Sequence, residues 1–325
     1  MQKQKRLVGV YHDWFENQNV VITGGGGYLG SYLAASLSNF DCKLYLIDLA
    51  FNDKAKDLAY RKSNVNLITL NLLNKEEVYS FFSQVRPDLI YHFAASLDRT
   101  RDFTIYNDVY KVNVEILHHL LQAVKSFPYK GFYLSSTSEL YGNKSPTPFY
   151  ETHEIMPVSP YSLTKYMAEK LLSSFSELNK KPYTIFRIFN FFGPNQPSST
   201  FVGEMINTLQ KEEIFKMSEG RQERDFLYID ELINQIKYLS SVQKDYNVYN
   251  LCSGKGTSLI YIVDQFKSIS RDFKIDKSLP YRDNEIMRII GSTDRLIESG
   301  YEIQDLNWNF AIQNCISKIK ITFNK

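Results

Sequence analysis

Residues 20–33 read VVITGGGGYLGSYL, and the way the four consecutive glycines are counted decides the kind of fold this stretch belongs to. The apolar run before them reads as a buried strand, and the residues beyond Tyr28 have the apolar spacing of a helix. Counting Gly25, Gly27 and Gly30 gives a GxGxxG pattern; counting Gly24, Gly27 and Gly30 behind Thr23 gives TGxxGxxG. Either count describes a strand, a tight turn and a helix whose N-terminus offers amide donors and a positive dipole end to a phosphate. Glycine serves there because it permits the turn, lets the backbone approach the ligand and allows the helix to pack on the strand.

Outward from this loop, short apolar runs alternate with helical stretches. Residues 19–24, 43–48, 64–72, 88–96, 131–138 and 183–192 read as strands, with helices at 29–39 and near 75–85, 107–126 and 161–179. The alternation predicts an α/β fold, a doubly wound parallel sheet of Rossmann type, and the near-continuous apolar strands predict burial on both faces. After FFGPNQPSST (191–200) the rhythm changes at a cluster of Pro, Gly and Ser. Residues 224–240 and 246–254 read as a return to the sheet. The expected organisation is a first domain over 1–194 with a return at about 224–254, and a smaller C-terminal α/β domain drawn mainly from 195–325. A ligand is expected in a crevice at the carboxyl ends of the strands.

Composition narrows the partners. The chain has 325 residues, 43% hydrophobic and 23% charged, with a formal net charge of +2, so no strong field attracts nucleic acid or a membrane surface. No apolar run is long enough to span a bilayer, and no apolar segment of signal-peptide length follows Lys3, Lys5 and Arg6, so a cytoplasmic location is expected. Cys42, Cys252 and Cys315 are far apart and odd in number, and the histidines are scattered or adjacent, so neither a disulfide framework nor a metal site is indicated. The histidines read as packing or surface residues, and Trp14 and Phe15 as anchors of the N-terminal segment.

Three further features carry chemistry. Asp48 ends the second strand, where a carboxylate accepts hydrogen bonds from an adenosine ribose and repels a 2′-phosphate; this favours NAD over NADP, with Lys54 and Lys56 as the counter-signal. Tyr161 and Lys165 in SPYSLTK share one helix face. Tyr166 and Lys170 repeat the spacing on a different face, but Ser-Pro at a helix start favours the first pair. In LSSTSELYG (134–142), a strand running through Thr137 to Glu139 places both side chains on one side, with Ser138 opposite. A phenol with a pKa near 10 becomes a useful base when an ammonium and a positive nicotinamide lie beside it.

Together TGGGGYLG, the strand-end aspartate, HFAAS, SSTSELYG, YSLTK, RIFNFFGP and RDFLYIDE, in that order from about residue 18, resemble the extended short-chain dehydrogenase/reductase family in its nucleotide-sugar epimerase/dehydratase branch. The resemblance implies an enzyme that holds NAD, oxidises a sugar C4 hydroxyl and binds a nucleotide-diphosphate sugar in its C-terminal domain. It selects Gly24, Gly27 and Gly30 as the pyrophosphate glycines, leaving Gly25 as a permissive neighbour and Gly26 as the turn. It makes Asp48 the ribose ligand and Tyr28, Leu29, Leu72, Ala94 and Ala95 further cofactor contacts. Tyr161 corresponds to the catalytic base, Lys165 to the nicotinamide-ribose ligand, Thr137 to the hydroxyl on the reacting sugar oxygen and Asn113 to an active-site helix asparagine. Ser138, Asn190, Arg224 and Arg282 correspond to substrate contacts, the arginines to those on the diphosphate. Asn71 stands where many relatives have an aspartate reaching the adenine. Family members pair through the helix 161–179 and its neighbour near 107–126, and the stripe Leu163, Met167, Leu171 and Leu178 beside Ala168 and Leu172 suits a homodimer.

The net reaction has several readings. Glu139 beside a C4 ketone can remove the C5 proton and start loss of the C6 hydroxyl, the 4,6-dehydratase route, and TSELYG resembles that stretch of GDP-mannose 4,6-dehydratases. Relatives acting on dTDP-glucose carry aspartic acid at the position of Ser138. Decarboxylases of UDP-glucuronate require an arginine for the substrate carboxylate, for which Arg288 is a candidate. PYRDNEIMRIIGSTDRL (280–296) resembles the C-terminal segment of nucleotide-sugar 4-ketoreductases. C4-epimerase and C4-dehydrogenase activities are further alternatives. A non-catalytic NAD-binding sensor or scaffold is the reading from another class, opposed by the presence of Thr137, Tyr161 and Lys165. The 4,6-dehydratase type is the expectation.

Overall fold

The structure is a computed structural model and describes residues 13–143, 146–242, 246–281 and 285–320. In chain order it begins with β1 (Asn19–Thr23), α1 (Tyr28–Leu37), β2 (Lys43–Asp48), α2 (Asp53–Arg61), β3 (Val65–Thr69), α3 (Lys75–Val85) and β4 (Leu89–His92). Then come α4 (Tyr106–Tyr110), a π turn at Lys111–Glu115, α5 (Ile116–Val124), β5 (Gly131–Thr137), a 3-10 turn at Ser138–Tyr141, α6 (Pro160–Asn179) and β6 (Tyr183–Ile188). The remainder is β7 (Asn190–Phe192), α7 (Phe201–Gln210), β8 (Ile214–Lys216), β9 (Glu223–Tyr228), α8 (Ile229–Ser241), β10 (Val248–Leu251), β11 (Gly256–Ser258), α9 (Leu259–Ile269), β12 (Lys274–Asp276), β13 (Arg288–Ile289), α10 (Asp294–Glu298) and α11 (Trp308–Lys320).

Seven strands form one sheet in the order β10-β6-β5-β4-β1-β2-β3. β1 pairs in parallel with β2 on one side and β4 on the other, placing Thr23 opposite both Ile47 and His92. The order reverses between β1 and β4, as in doubly wound Rossmann sheets, and ligands of such sheets sit beyond the strand ends at that reversal. The sheet is buried on both faces. Ile90, Phe132 and Ile185 face a core with Phe82, Leu120 and Leu172 from the helices. On the opposite face Tyr91 stacks on Tyr133 at 4.6 Å and Tyr133 on Phe186 at 5.9 Å, with the Tyr133 hydroxyl donating to Ser240 O at 2.9 Å. Phe15 is buried, its ring 5.2 Å from that of Phe40, and the Lys130 ammonium lies 5.8 Å from the Trp14 ring.

The chain divides into two compact units, the first from residues 1–144, 152–188 and 233–249, the second from 145–151, 189–232 and 250–325. The apolar run 183–192 is not one strand: β6 belongs to the large sheet, and β7 pairs with β9 in a smaller one. Of the stretch 224–254, β9 also lies in the smaller sheet, flanked by β11 and β13, and only β10 joins the large sheet. The second unit packs around Trp308, which stacks on Phe192 at 5.1 Å and meets the edge of Phe226 at 6.0 Å. Its strands are tied by buried Asp225, which accepts from Ser253 N at 2.7 Å, Ser253 Oγ at 2.6 Å, Gly254 N at 2.9 Å and Gly291 N at 3.3 Å. Among the described residues no helix is long and apolar enough to cross a membrane.

Candidate active site

The strand reversal is marked by a buried contact, Thr23 Oγ1 to His92 Nδ1 at 2.7 Å. Burial and the nearby Lys165 charge hold the His92 imidazole down to about 3, so it is neutral at physiological pH. The glycine loop begins one residue beyond Thr23. Gly24 has φ +71°, and a Cβ there would lie 2.6 Å from Ala94 N; a Cβ on Gly30 would lie 2.3 Å from Gly24 O. Gly25 is not merely permissive: it is packed on β2, where a Cβ would come 2.7 Å from Leu46 Cβ. At Gly26 the obstacle is Ala50 O at 1.9 Å. Gly27 differs, being exposed, with only Gly24 O near a Cβ, at 3.2 Å, and it caps α1 without a side chain over the first turn.

The loop is fastened to the end of β2. Asp48 accepts from Gly26 N at 3.0 Å and Leu49 N at 2.8 Å, and Asn52 Nδ2 donates to Gly27 O at 3.0 Å. A carboxylate oxygen has lone pairs to spare beyond one amide, so Asp48 stays competent for a ribose diol. Tyr28 and Leu29 are half-buried in the first turn of α1, Leu72 is buried, and Ala94 and Ala95 are half-buried just beyond β4. Ala94 N donates to Thr23 Oγ1 at 3.4 Å, and Asn71 Oδ1 accepts from Leu73 N at 3.0 Å. Amide donors at an exposed glycine on a helix N-terminus, an accepting carboxylate fixed at the next strand end and a buried lysine ammonium together fit NAD.

Thr137 is the last residue of β5 and Glu139 lies in the following 3-10 turn, so the strand does not continue through it as the sequence suggests. Thr137 Oγ1 accepts from Glu139 N at 3.2 Å, which closes that turn, and Ser138 is buried within it. Glu139 Oε1 is 3.0 Å from Arg99 Nε, and the Arg99 guanidinium carbon is 5.6 Å from the Tyr161 ring centroid. Burial pushes the Tyr161 phenol above its ordinary value, and so, more weakly, does Glu139; Arg99 and the Thr137 hydroxyl pull it down. Burial also raises the Glu139 carboxyl, against Arg99 and Arg101. Lys165 is buried one turn beyond Tyr161, its ammonium lowered by burial to about 8 against the pull of Glu169.

Arg99 escapes sequence reasoning because SLDRTRDF (96–103) reads as a solvated charged loop, and no spacing links residue 99 to 139 and 161. The helix bearing Tyr161 starts at a capping box, in which Ser159 and Ser162 bond each other's backbone N–H, with Pro160 in the first turn. Asn113, in the π turn, accepts from Ser96 N at 2.8 Å and donates to Thr164 Oγ1 at 3.0 Å, tying the loop after β4 to α6. π turns recur at functional sites because they displace a side chain from helical register.

In the second unit Asn190 opens β7 and is half-buried. Arg224, on β9, donates through Nη1 to Glu223 O at 2.9 Å and through Nη2 to Glu285. Arg288 Nε donates to Glu223 Oε2 at 2.8 Å. Arg282 lies outside the described residues.

The chain is similar to known proteins in sequence and in fold. A dTDP-D-glucose 4,6-dehydratase of Dictyostelium discoideum is 28% identical over 251 residues, 72% of this chain and 58% of that protein's length. A UDP-glucose 4-epimerase of Bacillus subtilis is 25% identical over 81% of this chain and 84% of its own. The fold is that of the UDP-glucose 4-epimerase of Thermotoga maritima, with a TM-score of 0.84 and 23% identity over 94% of this chain and 99% of that one. Residues 20–252 match the NAD dependent epimerase/dehydratase family, and the chain is a member of that family, an NAD-dependent enzyme.

Proposed function

We propose that this enzyme oxidises the C4 hydroxyl of a nucleotide-diphosphate sugar to a ketone and continues by the 4,6-dehydratase route, with Glu139 acting at C5. NAD, when bound, would accept hydride from the sugar C4 and return it to C6 once water is lost, so that the dehydration is redox-neutral overall. Tyr161, in its phenolate form, takes the C4 hydroxyl proton, and the Thr137 hydroxyl steadies that oxygen. Arg99, within 5.6 Å of the ring, favours the phenolate that burial opposes. Lys165 meets the nicotinamide ribose, and Asn113 holds α6 against the loop after β4.

The observation that carries the dehydratase reading is the position of Glu139. Its carboxylate shares Arg99 with the Tyr161 ring, and burial raises its basicity toward that needed for an activated C5 proton. A second reading rests on the same contact: a Glu139 that only fixes Arg99 leaves C4 epimerisation or 4-keto reduction as the net reaction. We further read the first unit as the NAD-binding part, and Asn190 and Arg224 of the second as contacts of the sugar nucleotide, whose diphosphate would replace Glu285 on Arg224. A homodimer through α6 is supported by Leu163, Met167 and Leu171, which are only half-buried, and by Leu178, which is 85% exposed, whereas Ala168 and Leu172 are in the core.

Incubation with GDP-, UDP-, dTDP- and CDP-sugars, followed by mass, tests the proposal. Loss of water supports dehydration, unchanged mass with a new isomer supports epimerisation, and loss of carbon dioxide supports decarboxylation. Tyr161→Phe abolishes turnover in every case; a variant that retains it refutes the assignment of the base. Glu139→Gln abolishes dehydration but spares oxidation at C4. A sedimentation mass equal to one chain refutes the dimer.

A further inference from the structure

Behind the tyrosine and lysine lies a buried ion pair with no part in the chemistry above. Glu169 follows Lys165 by one turn of α6. Its Oε1 accepts from Ser136 Oγ at 2.6 Å and Arg187 Nε at 3.0 Å, and its Oε2 from Arg187 Nη2 at 2.8 Å. Arg187, on β6, also donates to the Tyr141 hydroxyl at 3.1 Å. Ser136, Tyr141, Glu169 and Arg187 are all buried. Each partner adjoins the site: Ser136 precedes Thr137, Tyr141 ends the turn that carries Glu139, and Glu169 shares the helix with Tyr161 and Lys165. A buried ion pair is seldom more stabilising than apolar residues of the same volume, so packing alone gives no reason for charges here. A reason lies in the neighbouring ammonium.

We propose that Glu169, fixed by Arg187 and Ser136, is a positioning residue: it is the buried anion one turn of α6 from Lys165 that holds this ammonium for NAD, and it ties the Thr137–Glu139 segment to the Tyr161–Lys165 helix. This rests on the reading of Lys165 as a ligand of the nicotinamide ribose. The titratable and charged groups around Lys165 are His92 from β4, Tyr161 and Glu169 from α6, and Arg187 from β6 behind Glu169. His92 is held neutral down to about 3 and Tyr161 is pushed above its already basic range, which leaves Lys165, at about 8, as the group among them that changes charge just above neutrality. A ligand that needs the ammonium therefore binds with level affinity below pH of about 8 and loses roughly tenfold per pH unit above it.

One helix turn of separation and an effective dielectric of about 20 make a lone carboxylate worth roughly two pKa units, and the opposing Arg187 charge leaves about one. The experiment is calorimetric titration of NAD from about pH 6 to about pH 9.5 on the wild type, Glu169→Gln and the double variant Glu169→Gln/Arg187→Met, with thermal melts of each. The double variant removes both charges of the ion pair and leaves Lys165 to lose its proton more readily, so it should melt closer to the wild type than the single variant does while its break in affinity moves down by about one pH unit. At pH 8 it should bind NAD several-fold to tenfold more weakly, yet within about twofold at pH 6. Glu169→Gln alone leaves Arg187 uncompensated and should move the break by about two units at a lower melting temperature. A break in the double variant that coincides with that of the wild type overturns the proposal while leaving Lys165 as the NAD ligand. Wild-type protein with no affinity break near pH 8 overturns the reading of Lys165, and the proposal with it.

Discussion

The glycine loop divides its labour in a way that two single substitutions can separate. Alanine at Gly24 must adopt φ +71°, which costs about 1–2 kcal/mol for an L-residue. Its methyl would also lie 2.6 Å from Ala94 N and 2.7 Å from Phe93 C, backbone atoms just beyond β4 with little room to move. Overpacking of that kind adds about 1–3 kcal/mol. Alanine at Gly27 meets only Gly24 O at 3.2 Å, and its chief penalty is as a poorer helix cap, about 0.5–1 kcal/mol. A domain of this size loses roughly 2–4 °C of melting temperature per kcal/mol. Gly24→Ala should therefore melt on the order of 5–15 °C early, and Gly27→Ala within about 4 °C of the wild type. Cofactor binding should rank differently. Gly27 is exposed at the head of α1, and a methyl there holds a pyrophosphate off the amides; losing one charge-assisted hydrogen bond, about 1.5–3 kcal/mol, weakens NAD by roughly tenfold to a hundredfold. Circular dichroism melts and NAD calorimetry on the two variants suffice. A Gly24→Ala protein that melts with the wild type, or a Gly27→Ala protein that binds NAD as tightly, refutes the reasoning.

Arg99→Gln should shift the limb of the pH–rate profile in which the Tyr161 phenolate forms. With the 5.6 Å from the Arg99 guanidinium to the Tyr161 ring centroid standing for the charge separation, a dielectric of about 20 gives about 3 kcal/mol, or about two pKa units, and the 60% exposure of Arg99 halves this to about one. Because the phenolate is the working base and Arg99 lowers its pKa, the limb moves to higher pH; an unmoved limb in kcat removes Arg99 from the mechanism. Asp225→Ala strands four donors and should destabilise the protein by about 3–5 kcal/mol in denaturant unfolding, whereas a loss below about 1 kcal/mol shows that water replaces the carboxylate. Asp48→Ala should weaken NAD and lessen the discrimination against NADP, read as the ratio of the two Kd values; an unchanged ratio assigns that discrimination elsewhere.

The fold was legible wherever apolar runs alternate with helical spacing, and Thr23, Thr137, Tyr161 and Lys165 are the sequence features that favour one register of the loop. What the sequence hides is which sheet a strand joins. YTIFRIFNFF is one apolar run, yet its chain leaves the large sheet at Ile188 and enters the smaller at Asn190, and hydrophobicity is blind to that change. The π turn around Asn113 is hidden too, since hydrogen-bond register is not a property of residue type. Arg187 did leave a signal: an arginine inside a strand buried on both faces demands a buried anion, although nothing local says that Glu169 supplies it. Alternation singles out Glu139 along a strand that in fact ends two residues before it, at Thr137, and the 3-10 turn rather than alternation sets its position.

The chain has two tryptophans, and the division into compact units puts one in each: Trp14 beside the Lys130 ammonium in the first, Trp308 stacked on Phe192 in the second. Both are partly buried, so their emission responds to loss of the surrounding packing. The molecule thus carries a separate optical reporter for each unit. Replacing either tryptophan with phenylalanine leaves a single-colour probe of the other unit, with which stepwise unfolding can be told from a concerted transition without any added label.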